Sequence, residues 1–256
     1  MLETARSPEF RTAQGRASAI NVLENVGIEG LILIGGDGTF RGGALLAQEC
    51  GVSIVGVPGT IDNDVHGTDY SIGFDTAVNC ALQAIDRIRD TANSLERLFF
   101  VEVMGHHTGF IALQAGIAGG AEEILVPEQP MNLNALCLRL KERFEHGKRS
   151  AIVIVAEGEH PGNSLYTARA VKEKIDLDSR VCILGHVQRG GAPTARDRVL
   201  AGKLGAAAVQ GLIDGKSGCI VGEVKGEIVY TPLHDTWQKQ KHLDPELKAL
   251  ATFFRE

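Results

Sequence analysis

The stretch from Leu31 to Asp64 constrains this chain more than any other. It reads LILIGGDGTF, then a helical interval, then VSIVGVPGTIDND. Two short apolar runs each stop at a glycine-bearing loop, the pattern of parallel strands buried on both faces that open into polar loops. Gly35, Gly36 and Gly38 let backbone N–H groups approach a phosphate, and a helix beginning at Thr39 would turn its positive end the same way. A carboxylate inside such a loop, Asp37, repels phosphate unless a cation lies between them. The loop therefore points to magnesium held by one carboxylate, waters and phosphate oxygens. The competing reading is a plain strand-to-helix turn with Asp37 near the N-cap. In the second loop Thr60 can donate to a phosphate. Asp62 and Asp64, two residues apart in an extended segment, can share one side, one taking a hydroxyl proton and the other orienting or holding metal. An Asx-turn cluster is the alternative there.

The rest of the chain keeps the same alternation. Apolar runs at 98–104, 123–126, 151–156 and 180–184 read as strands, and 218–224 and 227–230 as a strand pair across Gly226. Helical periodicity covers 13–25, 40–50, 74–91, 109–119, 133–146, 164–175, 194–212 and the tail from Leu243. The class is α/β with mostly parallel sheets. The loops GGDGT, PGTIDND, MGHHTG, AEGEH and GHVQRGG all follow apolar strands, where such sheets gather ligands. Arg97, Arg180, His186 and Arg189 lie at or beside strand ends. Each arginine alone reads as a surface ion pair, but four cations at strand ends favour a phosphorylated substrate. Glu157, after AIVIVA, can accept from a sugar hydroxyl. The His106-His107 pair is not read as a metal site, because adjacent side chains diverge and no third ligand stands at suitable spacing.

Composition narrows the function classes. There are 31 glycines in 256 residues, above the usual share of roughly 7%, and no low-complexity tract absorbs them. They belong in turns and ligand loops. A net charge of -6 without a long basic run argues against nucleic-acid binding. Cys50, Cys80, Cys137, Cys182 and Cys219 are odd in number and scattered, which fits reduced structural thiols rather than a disulfide framework or zinc site. No apolar run approaches the roughly 20 residues of a membrane span, and MLETARSPEF has no signal-peptide core, so the expected location is cytoplasmic.

Seven stretches together resemble the phosphofructokinase family: TARSPEF, GGDGTF, PGTIDND, GFDTA, VEVMG, AGGAEEILVPE and GHVQRGG, in the family's order and over nearly the whole chain. GGDGT alone is shared with NAD kinases and diacylglycerol kinases; PGTIDND with GHVQRGG is specific. The resemblance implies two Rossmann-like domains with mostly parallel sheets, and transfer of the γ-phosphoryl of ATP to the 1-hydroxyl of fructose 6-phosphate, giving fructose 1,6-bisphosphate in glycolysis. It implies that Asp62 is the base, that Thr60 and Asp64 support the transferring group, and that Asp37 holds magnesium. Gly36, Gly38 and Thr39 would line the ATP phosphates with Arg6 and Ser7 beside them. Ile61, Met104, Gly105, His106, Glu157, His186, Val187, Gln188 and Arg189 would face the sugar phosphate. Arg97 and Arg180 would reach it from a neighbouring subunit, implying a homotetramer, and Arg89, Gly120, Ala121, Glu122 and Lys148 match the effector pocket.

The same resemblance implies an ATP/magnesium domain over 1–73 and 186–236 and a fructose-6-phosphate domain over 74–185 and 237–256. Pyrophosphate-dependent relatives carry aspartate where Gly38 stands and read PKTIDND where Gly59 stands, so the two glycines favour ATP. Three departures stand out. Family members have a first strand and a GGDAPGMN-type loop ahead of TARSPEF, so the first domain is expected to lack its N-terminal strand. His106 stands where bacterial relatives often carry arginine, and His146 where the effector pocket usually has a basic residue. Alternatives at this point are a non-catalytic truncated subunit that binds sugar phosphate, a pyrophosphate-dependent enzyme, or another kinase built on GGDGT.

Overall fold

The structure, a computed structural model, describes residues 7–49, 51–158 and 162–253. After a 3-10 turn at Glu9–Arg11 the elements in chain order are α1 (Ala13–Asn25), β1 (Gly30–Gly35), α2 (Asp37–Glu49), β2 (Ser53–Thr60), β3 (Ile72–Gly73), α3 (Phe74–Leu95), β4 (Leu98–Val103), α4 (Phe110–Ala118), β5 (Glu123–Leu125), α5 (Leu133–Glu145), β6 (Ala151–Ala156), α6 (Asn163–Ile175) and β7 (Ser179–Ile183). A second 3-10 turn, Gly185–Arg189, leads to α7 (Ala195–Ile213), β8 (Cys219–Val224), β9 (Glu227–Pro232), α8 (Asp235–Gln238) and α9 (Pro245–Phe253). The chain divides into two compact units, the first Met1–Thr60, Val65–Ile72 and Arg198–Lys241, the second Ile61–Asp64, Gly73–Asp197 and His242–Glu256.

In the first unit the strand order is β1-β2-β8-β9, with β3 on β2; β1, β2 and β8 run parallel and β9 antiparallel. Alternate residues serve opposite faces, as the strand repeat requires. Ile54 and Ile220 pack with Phe40 and Leu46 of α2, while Val55, Val57, Cys219 and Val221 pack on Leu200, Leu204 and Ala208 of α7. Phe40 is wholly buried, and a Cβ at Gly56 would lie 2.7 Å from its ring. Glycine in mid-strand therefore seats α2 on β2, and this anchor fixes the loop that precedes α2. One expectation fails here. Residues 31–34 read as a strand buried on both faces, yet β1 is an edge strand among the described residues, and Ile34 is 57% exposed. A run of apolar residues cannot by itself distinguish an edge from a centre.

The second unit carries a four-stranded parallel sheet in the order β5-β6-β4-β7. Every residue of β4 and β6 is buried. Leu136 and Leu140 of α5 and Ala168 and Val171 of α6 cover Leu98, Phe100, Val153 and Val155 on one face. Small residues let α4 approach its neighbours, since a Cβ at Gly116 would lie 2.7 Å from Ile124 and one at Gly119 2.8 Å from Ile85. The connection from β4 to β5 passes over β6, and that from β6 to β7 passes over β4 in the opposite direction. The loops after β4 and β6 thus flank the point where the topology reverses, the place where open parallel sheets bind ligands.

The expected division gave 186–236 to the first domain, whereas 186–197 cluster with the second unit. Specific bonds account for this. Gln188 Oε1 accepts from Met104 N at 2.9 Å, and Cys80 Sγ contacts Val187 O at 3.3 Å. Buried Asp197 accepts from Gly73 N at 3.0 Å, Thr76 N at 2.8 Å and the Thr76 hydroxyl, capping α3 from the start of α7.

Candidate active site

The first unit presents the glycine loop. β1 ends at Gly35 and α2 begins at Asp37, two residues earlier than the expected Thr39. Thr39 N and Phe40 N donate to Gly36 O at 3.0 and 3.1 Å, closing the first turn. A Cβ at Gly35 would fall 2.3 Å from Thr39 Oγ1, so glycine there is a packing requirement. A Cβ at Gly36 would lie 3.4 Å from Thr60, and Gly35 pairs with Pro58 across β1 and β2, so the two sequence motifs are neighbours. The two glycines that favoured ATP differ in kind. Gly38 looks into open space, where nothing lies within 4 Å of an added Cβ. Gly59 is also needed locally, because its Cβ would meet Ile34 Cγ2 at 2.9 Å.

Asp37 is half exposed, and both its oxygens accept from Arg41 Nε at 3.0 Å. The Arg41 guanidinium lies 5.4 Å from the centre of the Trp237 ring. Among the described residues no group of three His, Cys, Asp or Glu can hold a metal. The oxygen-bearing side chains of the two loops are the Asp37 carboxylate and the Thr39 and Thr60 hydroxyls. That set fits a hard cation that keeps waters and shares a phosphate, as magnesium does, and does not fit an all-protein cage. Ser7 Oγ accepts from Phe10 N at 3.3 Å and starts the 3-10 turn. Arg6 lies outside the described residues.

Sequence reasoning missed what holds this segment. Arg16 of α1 is buried, forms two 2.7 Å bonds to Glu49 at the end of α2, and donates to Phe10 O and Arg11 O at 3.3 and 3.1 Å. Pairing with Glu49 raises the arginine's pKa and lowers that of the glutamate.

The second unit presents the titratable cluster. Residues 61–64 are not extended, as the reading of Asp62 and Asp64 assumed. Asn63 is buried with φ 54°, so the chain turns between the two aspartates. The Asp62 carboxyl is pushed above the ordinary aspartate range, chiefly by burial and then by Asp64, with Glu157 adding to the rise; His106 and Arg189 pull it back. Four separate segments therefore converge on Asp62: its own bend, the loop after β4, the residue after β6, and the 185–189 turn.

Backbone bonds shape the loop after β4. Gly105 has φ 146°, and a Cβ there would lie 2.5 Å from Thr108 O. His106 has φ 52°, and its N–H donates to Glu157 Oε1 at 2.9 Å. Thr108 Oγ1 donates to Gly105 O at 2.9 Å, and Gly109 N donates to Glu128 at 2.9 Å. The positive φ also brings the His106 and His107 rings to 3.7 Å, where divergence was expected. Met104 N is held by Gln188, whose side chain is buried and whose Nε2 has no protein partner. His186, Val187 and Arg189 are exposed on the 185–189 turn.

Arg97 and Arg180 are not brought to this cluster. They stand at the amino ends of β4 and β7, one strand length, about 17–20 Å, from the carboxyl-end loops. There both add to the lowering of the Asp178 pKa, which Lys172 causes first. Of the residues matched to an effector pocket, Arg89 donates to Gly120 O at 2.8 Å and lies 3.8 Å from Glu122, which accepts from Ile152 N at 2.6 Å. Ala121 is buried between them in sequence, and Lys148 is exposed after α5.

Three further buried carboxylates were missed, Glu102, Asp197 and Glu123, the last paired with Arg139. Glu102 is the lone charge in β4 and accepts from Gly162 N at 2.8 Å, Ser164 N at 2.9 Å and Ser164 Oγ at 2.6 Å, capping α6. A charge inside a wholly apolar strand was a readable signal for it. Asp197 gave none. A cavity of about 160 Å³ between β5 and α5 is lined by none of the candidate site residues named from the sequence.

Comparison with known proteins follows the same lines. The Phosphofructokinase family description matches residues 1–212. "ATP-dependent 6-phosphofructokinase 1" of Thermus thermophilus is 57% identical over 251 residues, covering 98% of this chain and 78% of that protein. "ATP-dependent 6-phosphofructokinase" of Cytophaga hutchinsonii is 50% identical over 98% of this chain and 77% of its own length. Phosphofructokinase from Saccharomyces cerevisiae has a TM-score of 0.84 and 32% identity over 98% of this chain, which spans 38% of the yeast chain's length. The chain belongs to the phosphofructokinase family.

Proposed function

We propose that this chain is an ATP-dependent 6-phosphofructokinase, a glycolytic kinase that moves the γ-phosphoryl of ATP onto the 1-hydroxyl of fructose 6-phosphate. The observation that carries the reading is Asp62, a carboxylate made more basic by burial and by Asp64 yet kept close to the His106 imidazole and the Arg189 guanidinium. A hydroxyl proton needs such a base, and the charge of a transferring phosphoryl group needs such partners. The names carried by relatives at 57% and 50% identity point the same way.

In this reading the glycine loop takes the ATP phosphates through Gly36, Gly38 and Thr39, and the open space over Gly38 admits the nucleoside side of ATP. Asp37 holds magnesium, which supplies charge neutralisation when bound. Thr60 donates to the transferring group and Asp64 sustains the basicity of Asp62. Glu157 fixes the His106 backbone and meets the sugar with Met104 and Gly105, while His186 and Arg189 bind the sugar phosphate. Arg97 and Arg180, displaced by a strand length, serve the site of a neighbouring copy in a homotetramer. Arg89, Gly120, Ala121, Glu122 and Lys148 form an effector pocket, and the enzyme works in the cytoplasm. No helix among the described residues is long and apolar enough to cross a membrane.

The test is donor and acceptor choice. The purified chain is given fructose 6-phosphate with magnesium and either ATP or pyrophosphate, and phosphorus NMR reads the product. Fructose 1,6-bisphosphate from ATP and none from pyrophosphate is expected. Transfer from pyrophosphate at a comparable rate, or calorimetry showing that neither ATP nor fructose 6-phosphate binds, overturns the reading.

A further inference from the structure

Arg41 is left over by that account. It follows the glycine loop, has no role of its own in that account, and yet meets the one carboxylate assigned to magnesium. Its Nε sits 3.0 Å from each oxygen of Asp37, and its guanidinium lies 5.4 Å from the Trp237 ring. The pair is in the favourable order for an i,i+4 contact, acid before base. Both side chains are about half exposed, so the bond is weak and exchangeable. Trp237 gives the guanidinium a second attractive surface that does not depend on Asp37.

We propose that Arg41 is a built-in competitor for magnesium at Asp37, with Trp237 as its resting place when the metal displaces it. A magnesium ion takes carboxylate lone pairs at about 2.0–2.1 Å. A guanidinium bridging both oxygens of the same carboxylate obstructs those lone pairs and adds repulsion between like charges. Metal and Arg41 therefore exclude each other. In the metal-free loop Arg41 neutralises a carboxylate that would otherwise repel incoming phosphate. With metal bound, the released guanidinium moves fully onto the indole. This inference rests on Asp37 as the magnesium ligand.

Trp237 is the only tryptophan in the chain, so its emission reports the contact directly. Magnesium is titrated into protein equilibrated with ATP, without sugar phosphate, and Trp237 emission is followed in wild type, Arg41→Met and Asp37→Asn; free Mn²⁺ measured by EPR gives an independent affinity. Exposed pairs of this kind correspond to about a two- to fivefold change in binding. Arg41→Met is expected to lower the metal concentration at half-saturation by about that factor and to weaken ATP binding in EDTA, where the Asp37 charge is no longer neutralised. Wild-type emission is expected to change with magnesium and ATP but not with ATP in EDTA, and Arg41→Met to lose that change. A metal requirement that rises or stays the same in Arg41→Met overturns the proposal; a rise would make Arg41 a phosphate ligand. If Asp37→Asn keeps the wild-type metal dependence, the assignment of Asp37 itself fails, and the competition with it.

Discussion

Asp37 and Asp62 are both aspartates of glycine- and threonine-bearing loops, 25 residues apart, and they are held in opposite ways. Asp37 stands half exposed in the first turn of a helix, answered by an arginine one turn further on. Its direct partner is local, Arg41 on the carboxylate with Thr39 packed over Gly35. Asp62 is part-buried and its neighbours come from Glu157, His106 and Arg189, distant in sequence. A half-exposed carboxylate with an arginine partner suits a cation. A carboxylate pushed up by burial and a like charge is uncomfortable as an anion and suits a proton. On the proposed reading, the environments rather than the residue type would separate a metal ligand from a base.

The largest expected effect tests that separation. Asp62→Ser should lower kcat by about 10²–10⁴-fold while KM for fructose 6-phosphate moves little, since a general base acts in the transition state. Asp37→Asn should instead raise the magnesium needed for half-maximal rate. Steady-state kinetics at varied magnesium reads both. Near-normal turnover in Asp62→Ser would break the comparison, because Asp62 would then be one more structural acid.

Structural acids of that kind exist nearby, and they show what was legible in the sequence. The strand–loop pattern around 31–64 and the alternating class came through, because period and glycine placement are local properties. The β9 hairpin partner was readable from Gly226 for the same reason. The edge position of β1, the bend at Asn63 and the 3-10 turn at 185–189 were not, because burial and φ there are set by distant strands. Arg97 and Arg189 were grouped as cations beside strands, although chain order already puts Arg97 before the 98–104 run and Arg189 after the 180–184 run; the parallel pairing of β4 and β7 turns that order into opposite ends of the sheet. Arg16 reads as one more charge on a helix until its four bonds to α2 and the 3-10 turn are seen.

Glu102 sharpens the contrast with Asp62. It is more buried, yet three donors satisfy it, so its charge belongs to the fold. Glu102→Ala leaves Gly162 N, Ser164 N and Ser164 Oγ without their acceptor and frees the start of α6. A loss of about 2–4 kcal/mol is expected in urea unfolding. Glu102→Gln, which keeps one acceptor oxygen, should lose about half as much. Asp62→Ser should lose little or gain. Equal losses in all three would erase the distinction between satisfied and strained carboxylates.

The smallest effect is the dependence of that strain on pH. The folded pKa of Asp62 lies above the ordinary value of 3.8, so the native state binds the proton more tightly than the unfolded chain does. Its contribution to stability is then fully present below 3.8 and is lost as pH rises through the raised value. Asp62→Asn, which cannot ionise, escapes that loss. Its Tm should exceed wild type by about 1–3 °C at pH 7–8, the scale on which relieving a strained functional site stabilises a domain of this size. The advantage should shrink as pH falls through the raised pKa, and Asp64→Asn, by removing the like charge, should reproduce part of it. Turnover of the wild type follows the same ionisation in the opposite sense, because the base works only when deprotonated. The acid limb of kcat/KM should lie above the ordinary aspartate value, move down in Asp64→Asn and move up in Arg189→Ala. If Asp62→Asn is no more stable than wild type at pH 8, burial at Asp62 costs the fold nothing, and the case for it as the base loses its physical ground.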